Sequence, residues 1–244
     1  MGGEILKIDA SKMGYRELNK RIAEENDEVI IDNCVGQRYI ASGMENGMVT
    51  INGIPGNALG SYLNGGVITV NGNVQDAVGD TMNEGVIIIN GNAGDALGYA
   101  MRGGKIYVKG DSGYRTGIHM KEFKEKKPVI VIGGSTGSFL GEYLAGGIII
   151  ILGLTDKENI LGNFTGTGMH GGKIFVRSED VEKYDLPKQV SADIATEEDL
   201  DSIMEYLKEY SEIFSIDLKK VLDNKFYVLS ANAKNPYKRL YTYN

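Results

Sequence analysis

The chain has 244 residues, of which 42% are hydrophobic and 24% charged, a composition typical of soluble globular proteins. A formal net charge of −7 argues against nucleic acid or an anionic membrane as the main partner. The single cysteine, Cys34, excludes an intramolecular disulfide, a cysteine-ligated zinc site and a cysteine-bound iron–sulfur cluster. No apolar run approaches the ~18 residues that span a bilayer, and no signal-peptide segment is recognised, so we expect a cytoplasmic protein.

The N-terminal segment predicts a strand followed by a helix. Ile5–Ile8 is a candidate strand, and Leu18 and Ile22 lie at helical spacing within Tyr15–Glu25. Because a solenoid exposes its end units, we expect a cap with a polar outer face at each end. We therefore assign residues 1–28 to an N-terminal cap.

A strand-like phrase then recurs at a fixed interval, with leading glycines at Gly66, Gly85 and Gly104, 19 residues apart. A fixed period with one strand-like run per unit is typical of stacked repeats. Two longer steps predict inserted loops near Glu122–Lys127 and Asp156–Leu161, both of which are charged. The strand runs begin at Val29, Met48, Val67, Val86, Lys105, Val129, Ile148 and Lys173.

Positions within each run alternate between core and surface. The second and fourth positions are almost all Ile or Val and are predicted to point inward, while the first and third point outward. Asp32 is the exception, at the fourth position of the first run. A second apolar column consists of Met44, Leu63, Met82, Met101, Met120, Leu144 and Met169. A glycine column consists of Gly60, Gly79, Gly98, Gly117, Gly141 and Gly166.

These columns predict an all-β solenoid. It is a single-stranded parallel β-helix with glycine corners and with α-helical caps at both ends. Another column, formed by Asn33, Asn52, Asn71 and Asn90, predicts a ladder of hydrogen-bonded amides along the stack. Metal coordination by these amides is disfavoured because no aspartates align with them.

The repeat stops after residue 176, and the remaining segment predicts helices. Thr196–Asp199 resembles a capping box that opens a helix with an apolar stripe as far as Phe214. A second short helix is predicted from Ser215 to Leu222, and a strand over Phe226–Leu229.

The chain therefore divides into three predicted segments. Residues 1–28 form the N-terminal cap, residues 29–178 the parallel β-helix and residues 179–244 a C-terminal helical cap and tail. The tail Asn232–Asn244 is rich in tyrosine and lysine, and we expect it to dock on a partner.

Few residues suggest chemistry. His119 and His170 fall in irregular corner columns and do not converge on one turn, which gives little support for catalysis or metal binding. Arg115 replaces an alanine of the column Ala58, Ala77 and Ala96. It suits recognition of an anion or a partner carboxylate, but an internal pair with Asp111 or Glu142 is the more favoured interpretation.

Two further features have structural explanations. Gly133–Ser138 follows an apolar strand, as a phosphate-binding loop does, but it lacks that motif's lysine and spacing and aligns with other corners. Cys34 has no histidine nearby in sequence and is interpreted as a small buried residue. The outward strand positions carry no paired acids, and their mostly apolar character predicts a surface covered by another protein.

The order of the glycine-rich runs resembles the GXGXG β-helix domain at the C-terminal end of the large chain of glutamate synthase. The likeness is strongest over Gly141–Gly153, continues through Gly162–Phe164 and Gly168–Gly172, and extends to Lys225–Val228 and Pro236–Arg239. It covers nearly the whole chain. The repeats are also similar to those of the β-helical subunit of formylmethanofuran dehydrogenase.

The resemblance implies a right-handed β-helix of about seven turns with a structural, domain-bridging role. In that family the amidotransferase nucleophile, the FMN site and the iron–sulfur cluster lie in other domains. No catalytic, cofactor-binding or metal-binding residue is therefore carried over to this chain. The resemblance implies separate amidotransferase-type and FMN/iron–sulfur subunits as partners, as in glutamate synthases whose domains are separate polypeptides.

We therefore expect a non-catalytic scaffold subunit of a glutamate synthase-type complex, serving glutamate biosynthesis and ammonia assimilation. One alternative is the equivalent subunit of a formylmethanofuran dehydrogenase-like oxidoreductase. It ranks second because Gly141–Gly153 and the tail resemble glutamate synthase. Another is an independent carbohydrate-active enzyme, which the lack of paired outward acids disfavours. Homo-oligomerisation is left open.

Overall fold

One continuous sheet of eleven strands dominates the computed structural model, which describes residues 5–24, 28–155 and 157–232. The strands are β1 (Ile5–Asp9), β2 (Glu28–Val35), β3 (Met48–Ile54), β4 (Asn64–Asn71), β5 (Glu84–Ile89), β6 (Lys105–Val108), β7 (Val129–Ile132), β8 (Ala145–Ile151), β9 (Gly171–Arg177), β10 (Val190–Ile194) and β11 (Phe226–Ala231). The helices are α1 (Tyr15–Ala23), α2 (Glu197–Phe214) and α3 (Leu218–Leu222). Strands β1 to β9 pair in parallel and in chain order, so the predicted parallel β-solenoid of about seven turns is confirmed.

From β3 to β9 the strand register agrees with the alignment of the repeats. Met48 pairs with Val67 and Val67 with Val86, and the same alignment continues to β9. The inward side chains at the second and fourth positions are completely buried, as at Ile87 and Ile89 in β5. Together they form one core that runs through the coil.

The first turn is offset by one residue from this alignment. Glu28 pairs with Met48, so Val29 and Ile31 are the side chains that face the core. The predicted inward position of Asp32 is therefore wrong. Successive strand residues face opposite sides, so a shift of one residue moves this carboxylate out of the apolar core, where an unpaired charge would be costly.

The predicted corner column has left-handed backbone throughout, with glycine at each position from Gly60 to Gly166 and Ala41 in the first turn. At Gly117 φ is +68°, and an ideal Cβ would lie 2.4 Å from Cδ1 of Ile149 in the core. Both the backbone and the close approach therefore require glycine here. The predicted second apolar column is also confirmed as core, with Leu63 and Met120 completely buried.

Strand β1 and helix α1 close the N-terminal end of the coil. β1 pairs in parallel with β2, and Leu18 and Ile22 of α1 join the central core. The side-chain amide of Asn19 donates to the carbonyl of Arg38 at 2.9 Å, which satisfies a backbone acceptor at the end of the stack. The predicted strand and helix of this segment are confirmed.

Helix α2 lies along the side of the coil, and the sheet itself continues at the C-terminal end through β11 and β10, which run antiparallel. The helix opens on the predicted capping box, in which Thr196 Oγ1 accepts a hydrogen bond from the Asp199 amide. Its Leu207 and Tyr210 pack against outward residues of β6 to β9, such as Phe175. The helix thus acts as a cover for the outer face of these strands.

The outer face of β6 to β9 is therefore buried by the chain itself. Tyr107, Val131, Ile150 and Phe175 are completely inaccessible to solvent. The prediction that another protein covers the apolar outer face is wrong for these strands, because outward apolar residues do not reveal which segment covers them. The division of the chain into three segments stays a prediction. The proposed docking tail, after Asn232, lies outside the described residues.

Charged contacts fix the helical segment to the strands. The hydroxyl of Tyr107 donates to the carboxylate of Glu209, and burial together with this carboxylate raises the pKa of the phenol, which keeps it a donor. The ion pairs are partly exposed, so each is worth about 1 kcal/mol or less, and they orient the helix more than they stabilise it. The pairs are Lys105–Glu209 at 2.7 Å, Lys173–Asp199 at 2.7 Å and Arg177–Asp223.

Candidate functional site

His119 lies at a corner of the coil within a row of aromatic rings. Its imidazole stacks on the ring of Tyr143 with centroids 5.1 Å apart and an interplanar angle of 8°. The ring of Tyr99 meets it edge-on at 6.0 Å. His119 has no carboxylate ion pair among the described residues, so its geometry favours ring stacking over general acid–base catalysis.

Arg115 lies in a second row that runs beside the first. Its Nε is 3.4 Å from a carboxylate oxygen of Glu142, which confirms one of its two predicted internal partners. Its guanidinium also lies over the ring of Phe139, 4.9 Å from the centroid, and Phe139 stacks on Phe164 at 5.0 Å. Glu142 precedes Tyr143 in the chain, so the ion pair joins the two rows.

The two rows form one surface, which we call the aromatic face. Three of its rings are strongly exposed, Tyr99 at 40%, Tyr143 at 41% and Phe164 at 53%. Sequence reasoning selected Arg115 and His119 but missed the aromatic members. The available signal is that two corner columns change from small residues in the middle turns to large ones in the later turns. The face consists of Tyr99, Arg115, His119, Phe139, Tyr143 and Phe164.

Five members of the aromatic face have left-handed backbone, which costs an L-residue roughly 1–2 kcal/mol. Large side chains are rare in this conformation, where glycine and asparagine are preferred. The φ values are +58° at Arg115, +55° at His119, +63° at Phe139, +53° at Tyr143 and +61° at Phe164.

The other histidine considered from the sequence, His170, lies next to this surface. Its Nδ1 is 3.1 Å from the carbonyl oxygen of Gly168. Gly168 in turn packs under Tyr143, since a Cβ there would lie 2.5 Å from the tyrosine ring. The structure therefore connects both histidines to Tyr143, one by ring stacking and the other through a backbone contact.

Cys34 is a buried thiol, as predicted. Its Sγ lies 3.4 Å from Oε1 of Gln37, and burial raises the pKa of the thiol to about 11. Because the thiolate is the nucleophilic form, this residue is unreactive at neutral pH in the folded state.

The glycine-rich segment 133–138 is a corner of the coil, and its amides are engaged within the stack. The amides of Gly133 and Gly134 donate to the carbonyls of Val108 and Gly110, both at 2.8 Å. The Ser135 amide donates to a carboxylate oxygen of Asp111 at 2.7 Å. A phosphate-binding loop needs free amides, so the structure agrees with the structural interpretation of this segment.

Asp111 connects this corner to the second inserted loop. Lys157 of that loop lies 2.8 Å from Asp111 Oδ2 and 3.0 Å from the hydroxyl of Ser135. Burial opposes ionisation of the carboxyl group, but Lys157 and Ser135 outweigh it and hold the pKa of Asp111 below its usual value. The cluster anchors the loop, because each of its charges has a partner.

The predicted amide ladder exists, with one change of residue. Asn90 donates to Asn71 at 3.1 Å, Asn71 to Asn52 at 2.8 Å, and Asn52 to Asp32 at 2.6 Å. The offset of the first turn places Asp32 in the ladder, while Asn33 donates instead to Asp9 at 3.0 Å. Within the described ranges, no three histidine, cysteine, aspartate or glutamate residues are grouped as metal ligands would be.

No helix in the described part of the chain is both long and apolar enough to cross a membrane. The chain is 46% identical, over 99% of its length and 98% of the relative's, to an uncharacterized protein of Methanocaldococcus jannaschii. Its fold is similar to that of a chain in the formyltransferase/hydrolase complex from Methylorubrum extorquens, solved in complex with methylofuran. That similarity has a TM-score of 0.65 at 18% identity and covers 94% of this chain and 95% of the other. The family model described as GXGXG motif matches residues 17–233, so the chain belongs to the GXGXG motif family.

Proposed function

We propose that this protein is a structural subunit of a multi-subunit enzyme complex, which holds catalytic subunits in place and has no active site of its own. The observation that carries the proposal is the end-to-end match in fold to a chain from a formyltransferase/hydrolase complex. Because nearly the whole of both chains is covered, the solenoid corresponds to a complete component of that assembly. The expected cytoplasmic location is part of the proposal.

The most favoured assembly is one that processes formyl groups, of the formylmethanofuran dehydrogenase type. The fold match supports this assignment over the glutamate synthase-type complex that the sequence resemblance placed first. The internal chemistry agrees with a scaffold role. Asp111, Lys157 and Arg115 form ion pairs within the chain, and the thiol of Cys34 is buried and protonated.

A glutamate synthase-type complex is the second candidate, favoured by the order of the glycine runs from Gly141 to Gly172 and by membership of the GXGXG motif family. In that assembly the partners would be an amidotransferase-type subunit and an FMN/iron–sulfur subunit. The two candidates differ in their partners, and the solenoid has the same role in both.

Affinity purification from the native host separates these candidates. The full chain carries a tag at its own locus, and the proteins that co-elute in fixed stoichiometry are identified by mass spectrometry. Formyltransferase or formyl dehydrogenase subunits support the first assembly, and amidotransferase and flavoprotein subunits support the second. A chain that elutes alone at low ionic strength, and that shows turnover in a screen of glycan substrates, would contradict the scaffold role.

A further inference from the structure

We propose that the aromatic face binds a protein partner whose contact surface is apolar at its centre and rimmed by aspartate and glutamate side chains. The inference deepens the proposed function and rests on it, since it names the surface by which the subunit joins its complex. Three properties of the face support it: backbone strain, exposed apolar area and the sign of the surrounding charge.

The left-handed backbone of these corners belongs to the coil itself, and it is the large side chains placed on it in the later turns that need a reason other than folding. In the middle turns the column of Arg115 holds Ala77 and Ala96, which have the same left-handed backbone. The later turns place aromatic side chains there, yet leave rings such as Phe164 half exposed, so the chain gains little burial from them. Residues in strained backbone that are not needed for the core are typical of binding sites.

The exposed area is sufficient for a substantial part of an interface. Aromatic side chains bury roughly 150–250 Å² each when fully covered, so half-exposed rings offer about 100 Å² apiece. The members of the face together offer about 500 Å², more than half of the ~800 Å² that one protein contributes to a standard interface. Tyrosine, phenylalanine and arginine are also the residue types enriched at interface centres.

The cations that adjoin the face in the chain indicate the charge of the partner. Residues 99–127 contain eight lysines and arginines against three acidic residues, and Lys105, Arg115 and Lys126 among them are already paired with carboxylates. Among the described residues, Arg102, Lys121, Lys124 and Lys127 have no carboxylate within ion-pair distance, and all four are exposed. Arg102 and Lys121 follow the face residues Tyr99 and His119 by three and two positions, so a positive rim on this side of the apolar centre is complementary to an acidic rim on the partner.

The same charge argues against a second copy of this chain as the occupant. A twofold contact through the face would bring the two positive rims together, and like charges across an interface are unfavourable. A partner of different sequence avoids this repulsion. The insertion at Glu122–Lys127 lies within this cationic segment and adds a further exposed aromatic side chain, Phe123.

The test is a triple substitution in the tagged complex, His119→Gly, Phe139→Gly and Tyr143→Gly. Glycine relieves the left-handed backbone strain, which offsets part of the lost ring stacking, so the chain should stay folded while the rings are removed. We expect the dissociation constant for the purified partner subunit, measured by biolayer interferometry, to rise at least tenfold. For the wild type, raising the ionic strength should weaken binding of the partner, because salt screens the attraction between the oppositely charged rims.

The matched control is Tyr62→Gly. Tyr62 lies in the same column as His119 and Tyr143, has a φ of +57° and is 58% exposed, but it belongs to an earlier turn and is not a member of the face. This variant should bind the partner as the wild type does. A second variant, Arg102→Glu with Lys121→Glu, should reduce the association rate without unfolding the chain, since both side chains are exposed.

The outcomes separate this inference from the proposed function. A complex that purifies intact but binds the triple glycine variant within threefold of wild type overturns the inference and leaves the scaffold role standing. If no other subunit co-purifies with the wild type, both the proposed function and the inference about the aromatic face are wrong. If the wild type is a dimer and the triple substitution converts it to a monomer, the face is a contact between two copies of this chain, and the proposal of a partner of different sequence is wrong.

Discussion

Replacing Gly117 by alanine should destabilise the coil by about 2–5 kcal/mol, which tests how the corners work. Its φ of +68° costs an L-residue roughly 1–2 kcal/mol. The added Cβ would lie 2.4 Å from Cδ1 and 3.4 Å from Cγ1 of Ile149, which is completely buried. Relief of this overlap requires a rotamer change or a backbone shift in the next turn, at about 1–3 kcal/mol.

Thermal unfolding followed by circular dichroism measures this effect. For a chain of this length each kcal/mol lowers the melting temperature by about 2–4 °C, so a fall of about 4–20 °C is expected. The control is Ala77→Gly, at a φ of +57°, which should stay within about 1 kcal/mol of wild type. A loss below about 1 kcal/mol for Gly117→Ala, or equal losses for both variants, would refute the idea that backbone sign and core contact fix glycine at this corner.

Three further predictions concern the contacts that hold the chain together. Glu209→Gln should loosen α2, because it removes the charge that pairs with Lys105 and leaves the hydroxyl of Tyr107 a weaker, neutral acceptor, and faster hydrogen exchange along α2 would record it. Lys157 and neighbouring hydrogen bonds lower the pKa of Asp111 despite its burial. The contribution of this pair to the free energy of unfolding is therefore complete above pH ~4 and is lost as the pH falls further. Asp111→Asn should remove that part of the acid-unfolding curve. Thiol labelling of Cys34 at neutral pH should occur only at the unfolding rate, because its pKa is about 11 and its side chain is buried; rapid labelling of the native chain would contradict this.

The sequence by itself determined the coil and most of its register. Ile87 pairs with Ile68 in the turn before it and with Ile106 in the turn after it, each one repeat away along the chain. The repeat therefore predicts both the type of residue at this position and its contact partners. The same holds for Gly117, whose column is glycine in each of the six turns from Gly60 to Gly166. In a periodic fold, the sequence repeat therefore predicts which residues contact each other in adjacent turns.

Only the tertiary structure decided the features that depend on contacts outside the period. The hydroxyl of Tyr107 meets Glu209, 102 residues further along, and no repeat indicates that α2 returns to cover the side of the coil. The one-residue offset that moves Asp32 outward arises at the end of the stack, where strand β1 takes the place of a full turn. The repeat places His119 and Tyr143 in one column, but the stacking of their rings and the exposure of the face follow only from the structure. Local periodicity fixes contacts between adjacent turns, whereas the packing of the last segment and the composition of a surface depend on which side of the coil each part reaches.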